Sequence, residues 1–224
     1  MACAGILPFG ARAQQELAET LKVLSEEFKK KKMPPESPLL RASKKGHIKS
    51  VRKALVEGAD VSQAHPVTGM TPLLAALRYG HEDVAKLLLD QGAPVNVNDL
   101  MGFTPLMYAI SNNDHGLAGL ILAKGADMNA VSKQGLSAVS CAVTSGNAEL
   151  INRLVSYGAN INVKDSLGYT PLGWAVMSGD EHIVHKLLNL GADPRVVMEG
   201  DMTAADLATK IKRDDLSRLL STTK

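Results

Sequence analysis

One spacing recurs along this chain and limits what it can fold into. Thr71-Pro72-Leu73, Thr104-Pro105-Leu106, Ser137-Ala138-Val139, Thr170-Pro171-Leu172 and Thr203-Ala204-Ala205 begin 33 residues apart, and Ser37-Pro38-Leu39 precedes the first by 34. A second comb follows the first five starts by 21 residues each: Gly58-Ala59, Gly92-Ala93, Gly125-Ala126, Gly158-Ala159 and Gly191-Ala192. Two combs with one period define a repeated supersecondary unit. A unit of this size cannot bury its apolar faces alone, so neighbours must stack into one continuous core.

The residues at each station explain the unit. Thr or Ser ahead of Pro is a helix N-cap followed by proline at the first helical position, where no backbone N–H is needed. A first helix rich in small apolar residues follows, such as Leu73, Ala75, Ala76 and Leu77, and stops at Gly46, Gly80, Gly146 or Gly179. Asn113 takes that place in the third unit, as the next residue to tolerate a left-handed backbone. A second helix carries Val84, Leu87 and Leu88, or Leu117, Leu120 and Ile121, and ends at the Gly-Ala comb. An extended stretch such as Val95-Asn96-Val97-Asn98-Asp99 then leads to a turn glycine (Gly69, Gly102, Gly135, Gly168). The expected units are 37–68, 69–101, 102–134, 135–167, 168–199 and 200–224.

The pattern Gly-x-Thr-Pro-Leu-x-x-Ala, then Gly-His, Val-x-x-Leu-Leu and Gly-Ala-x-x-Asn, resembles the ankyrin repeat over 37–224. The resemblance implies a mainly α, ankyrin-type helical solenoid of six helix-pair repeats with short β-hairpin fingers. It also implies that a partner protein or peptide binds across the finger tips and the inner-helix face, without catalysis or a cofactor. The family's usual Thr-Pro-Leu-His is changed here: Leu40, Leu74, Met107, Ser140 and Gly173 hold the His position. The stitches that His makes to the cap hydroxyl and the neighbouring loop must therefore be absent or replaced. Ser137-Ala138-Val139 is a degenerate start, and the shortened sixth unit ends in a polar run that suits a terminal repeat.

Aligning the units places Met70, Leu100, Met101, Phe103, Leu136, Leu167, Tyr169 and Met202 at or beside the finger turns, with Tyr79 and Met177 ending first helices on the same side. A row of such residues is expected to anchor a partner, since Met and aromatic side chains dominate binding energy. The competing reading is that they pack on the neighbouring finger.

Charge is polarised along the chain although the formal total is only +2. Residues 29–53 carry ten bases (Lys29, Lys30, Lys31, Lys32, Arg41, Lys44, Lys45, Lys49, Arg52, Lys53) against Glu36 alone, whereas 54–209 carry sixteen acids and eight bases. The basic stretch could be a solvated face that aids solubility, could attract an acidic protein, or could tether the protein to an anionic membrane or to nucleic acid, but it lacks the aromatic residues that stack on bases. Lys29–Lys32 also resembles a short nuclear-import signal, so a cytoplasmic protein that also enters the nucleus is the expectation.

The first 36 residues form a separate lead. Leu17, Leu21, Leu24 and Phe28 are spaced 4, 3 and 4, one narrow apolar stripe, with Glu16 and Glu19 near its start and lysines at its end. An amphipathic helix over 11–33 is expected, packing on the open flank of the first repeat as a cap or serving as a partner helix, with a disordered, weakly helical tail as the third reading. Met1 to Ala13 has no basic leading segment and is broken by Pro8 and Gly10, so it reads as a loose lead and not as a secretory signal.

Little else suggests chemistry. His182 and His185 could share a helix face but have no third metal ligand near them in sequence. Cys3 and Cys141 are too few and too far apart for a disulfide framework, and Cys141 falls at a core position. Neither a phosphate loop nor a nucleophile elbow is present. A monomeric binding protein is the reading, and an enzyme is not expected.

Overall fold

The structure, a computed structural model, describes residues 34–222. The helix expected over 11–33, and Lys29, Lys30, Lys31 and Lys32 with it, lie outside the described residues.

Twelve α-helices occupy the described residues, in six consecutive pairs. The first members are α1 (Pro38–Lys44), α3 (Pro72–Arg78), α5 (Pro105–Ser111), α7 (Ala138–Thr144), α9 (Pro171–Ser178) and α11 (Ala204–Lys210). The second members are α2 (Ile48–Val56), α4 (Glu82–Asp90), α6 (His115–Ala123), α8 (Ala148–Ser156), α10 (Glu181–Asn189) and α12 (Asp214–Thr222). Helices of seven to nine residues are too short to persist alone in water. Stacking supplies what propensity cannot: each first helix packs on the next first helix, and most second helices likewise, so one core runs the length of the array. Leu73, Leu77, Leu88, Leu106, Ile110, Ile121 and Ile151 are buried to within 1%. Each such side chain stabilises the stack by about 1.5–3 kcal/mol relative to exposure. No described helix is long and apolar enough to cross a membrane.

The helix starts form as the sequence indicates. Ser37, Thr71, Thr104, Ser137, Thr170 and Thr203 each accept a hydrogen bond from the backbone N–H three residues on. In the fourth pair Ser137 caps Ser140 without a proline behind it. Ser137 has ψ 171, the extended conformation that a following proline requires. Ala138→Pro is therefore expected to raise stability by about 0.5–1 kcal/mol, through a less flexible unfolded chain. A urea titration checks this, and a lowered midpoint would contradict the helix-entry geometry.

The connections between pairs depart from the expectation. Among the described residues there is no strand, only one isolated bridge between Val131 and Ser137. Each connection closes as a tight turn: Asp99, Ser132, Asp165 and Met198 donate their N–H to the carbonyls of Phe103, Leu136, Tyr169 and Met202 at 2.8–3.1 Å. The remaining turn amides are divided between the Asp99, Ser132 and Asp165 side chains, the carbonyls of those same residues and the neighbouring turn, which leaves too little cross-turn pairing for a hairpin ladder. The first turn is one residue longer, His65 to Met70, which accounts for the 34-residue first interval.

Neighbouring turns touch through backbone. The Leu100, Lys133 and Ser166 amides donate to the Thr68, Met101 and Gln134 carbonyls at 2.9, 2.9 and 2.7 Å. That contact explains two glycines: a Cβ on Gly102 would lie 2.8 Å from the Lys133 nitrogen, and one on Gly135 would lie 2.6 Å from Asp165 Cα. Both also have positive φ, 81 and 74.

Side chains also stitch the units. The Asn96, Asn129 and Asn162 side-chain carbonyls accept the Asp127, Asn160 and Asp193 amides of the next unit at 2.8–3.0 Å. Ser140 Oγ pairs with Ser137 Oγ at 3.2 Å, and Thr170 Oγ1 lies 3.8 Å from the sulfur of Met198.

Candidate partner-binding surface

The side of the first helices that faces the turns is built on two buried carboxylates 66 residues apart. Asp99 Oδ1 accepts the Met101 and Phe103 amides at 2.9 and 3.0 Å, while Oδ2 accepts the Tyr108 hydroxyl from α5 at 2.6 Å. Arg78, at the end of α3, brings a guanidinium nitrogen to 3.9 Å of the same oxygen. Asp165 repeats the arrangement: its Oδ1 accepts the Leu167 and Tyr169 amides at 2.9 Å each, and its Oδ2 accepts Trp174 Nε1–H from α9 at 2.7 Å. A carboxylate three residues before the turn glycine thus fixes the turn and docks it on the following first helix. Burial, reinforced by the bond to Asp99, pushes the Tyr108 hydroxyl well above the usual tyrosine range.

The other units use weaker versions of this clamp. Ser132 Oγ accepts the Gln134 and Leu136 amides at 3.2 and 3.1 Å and has no charge to offer. His65 Nδ1 lies 3.4 and 3.3 Å from the Val67 and Thr68 amides, which leaves Nε2–H to donate to the Pro34 carbonyl at 3.2 Å. The segment before α1 is thereby held on the turn-facing side, where Glu36 also pairs with Lys44 at 3.1 Å.

Burial raises the pKa of Asp165 above the ordinary 3.8, more than its hydrogen bonds lower it. The folded state therefore binds this proton more tightly than the unfolded one. The contribution of Asp165 to stability is fully present below the unfolded value and lost as pH rises through the folded one. Trp174 is the only tryptophan, so its fluorescence is expected to report the titration with a midpoint above 3.8, and Asp165→Asn should abolish it. A midpoint at or below 3.8 would show that the hydrogen bonds outweigh burial.

Nine of the ten residues expected to anchor a partner fall into three groups. Tyr79 and Leu100 are exposed, at 48% and 37%, and their chain neighbours Arg78 and Asp99 approach each other to 3.9 Å. Met70, Met101, Leu167 and Met202 are half-buried at the turns. Phe103, Tyr169 and Met177 are half-buried and packed against the core. Phe103 lies against Tyr108 with ring centroids 5.5 Å apart, and Tyr169 against Trp174 at 5.7 Å. Leu136 departs from the expectation: it is 5% exposed and offers no surface. The Asp165–Ser166 backbone lies against the adjacent Gly135 and covers that turn.

Of the basic residues, Lys44, Lys45, Lys49, Arg52 and Lys53 are all exposed. Lys44 Nζ also sits 5.9 Å from the Tyr79 ring centroid, and Lys53 faces Glu57 at 3.7 Å. Sequence reasoning missed Arg78, Tyr108 and Trp174 as partners of these carboxylates. The signal was present: Asp99 and Asp165 each precede a turn glycine by three residues, with Tyr108 and Trp174 nine residues further on.

A family model described as ankyrin repeats (three copies) matches residues 39–132 and 106–198. A search of curated protein sequences returned no match.

Proposed function

Because the chain belongs to the ankyrin-repeat family, whose repeats are generally protein–protein interaction modules, we propose that it is a non-catalytic binding protein. Its six helix pairs act as six repeats, monomeric, in the cytoplasm or nucleus. The partner, a protein or peptide, lies across the turns and the turn-facing side of the first helices. The observation that carries this reading is the exposure of two large apolar side chains, Tyr79 at the end of α3 and Leu100 in the turn that follows α4, with Met70 and Met101 half-buried in consecutive turns. Large apolar groups left exposed together mark interaction sites more often than idle surface. Tethering through 29–53 has less support: no aromatic residue interleaves the described bases there, and Lys53 faces Glu57.

The test is affinity capture with the intact chain and with a Tyr79→Ala, Leu100→Ala variant, read by mass spectrometry. Proteins retained by the first and lost by the second, at an unchanged thermal midpoint, are the expected result. Capture of the same set by both would place binding elsewhere.

A further inference from the structure

The distribution of charge on the first helices is lopsided. Across α1, α3, α5, α7 and α9 the charged residues are Arg41, Lys44 and Arg78, and no acid occurs. Acids sit instead on the second helices, as Glu82, Asp83, Asp90, Glu149 and Glu181. Asp99 and Asp165 do reach the turn-facing side, but both are buried and their oxygens are taken by amides, Tyr108 and Trp174. Lys44 and Arg78 occupy equivalent places one unit apart, and their side chains are 44% and 48% exposed. Tyr79 lies between the two units, beside Lys44.

We propose that the partner is an acidic, extended stretch of polypeptide seated on the first two units, with carboxylates on Lys44 and Arg78 and an apolar side chain against Tyr79. This rests on the binding-module reading above and specifies its ligand. The chain already shows the chemistry in miniature. Glu36, in the extended stretch before α1, places its carboxylate on Lys44 and accepts a hydrogen bond from Arg41 on its carbonyl at 3.2 Å. Lys44 still has two further N–H donors, and the 3.9 Å approach of Arg78 to Asp99 leaves most of its guanidinium donors available. Packed helix axes lie about 8–10 Å apart, which extended chain crosses in about three residues at ~3.3 Å each. Two acids about three residues apart, with an apolar residue between them, therefore match the spacing of Lys44 and Arg78. Opposite charges here set partner choice and on-rate more than raw affinity, so binding should weaken as salt rises.

The experiment selects displayed random peptides on the full chain and measures the affinity of the enriched sequences. Enrichment of acidic peptides is expected, with affinity falling roughly tenfold or more on Lys44→Glu, Arg78→Glu and less on Lys44→Gln, Arg78→Gln. The neutral pair keeps the test valid if reversal disturbs folding, as judged by circular dichroism. Acid-free peptides that depend on Tyr79 but ignore Lys44 and Arg78 would overturn this proposal and leave the binding-module reading standing. Failure of every peptide to respond to Tyr79→Ala, or failure of any to be enriched, would count against both. Equal or tighter binding of oligothymidylate, or of phosphatidylserine-containing vesicles, through Lys44 and Arg78 would overturn the acidic-peptide assignment in favour of a polyanion.

Discussion

Asp99→Ala is expected to destabilise the array by about 3 kcal/mol or more, the largest effect of any single polar substitution proposed here. The carboxylate is 3% exposed and serves three donors: two turn amides and the Tyr108 hydroxyl. Truncation leaves these three part-buried donors without the carboxylate, at a cost of about 1–3 kcal/mol for each group not reached by water. Asp99→Ser should fall between wild type and alanine, because Ser132 shows that a hydroxyl can hold the two amides of this turn without the charge. Tyr108→Phe removes only one donor, so its cost should be about 1 kcal/mol and should vanish in the Asp99→Ala background. Hydrogen exchange at Met101 and Phe103 measures the local effect. It is the better readout because a repeat array can open in parts and blur a single global midpoint. Unchanged protection in Asp99→Ala would show that the turn does not depend on its carboxylate.

Phe103→Ala combined with Tyr169→Ala is expected to weaken partner binding by roughly 2 kcal/mol or more, as the loss of two aromatic anchors does at protein interfaces. The structure adds a second expected result. Both rings pack against the core and against Tyr108 or Trp174, and each ring pair contributes about 0.5–1.5 kcal/mol beyond area burial. The double variant should therefore lose stability as well as affinity. Tyr79→Ala, at an exposed ring, should lose affinity with little change in the thermal midpoint. Calorimetric titration with a captured partner, alongside thermal melting, separates the two effects. Intact affinity with a collapsed midpoint would make Phe103 and Tyr169 packing residues and move the site toward the basic first unit.

Much of this fold was legible because its signals are short-range. A Ser or Thr three residues before the amide it caps, and a proline one residue after that cap, act within a single turn of chain. So does Asn113, which takes the left-handed backbone with φ 58 where its neighbours have glycine. The 33-residue period then identifies the stack without any knowledge of contacts. The hairpin ladder was not foretold correctly for the opposite reason. Whether a turn's amides meet backbone or side chain depends on Asp99, Ser132 and Asp165 folding back, which periodicity does not encode.

Sequence alone determined the number and order of the helices in each unit, where they start and stop, and the acid-poor composition of the first helices. Each of these follows from residues within a few positions of one another. Tertiary structure decided which turn residues are available to a partner. Leu100, Phe103 and Leu136 all belong to the turns, yet they end exposed, half-buried and buried. The difference is made by the neighbours that pack there: Tyr108 of α5 lies against Phe103, and the Asp165–Ser166 backbone lies against Gly135, next to Leu136 in the chain. Exposure belongs to the stack of units, because burial is set by the neighbour that arrives and not by the residue that waits for it.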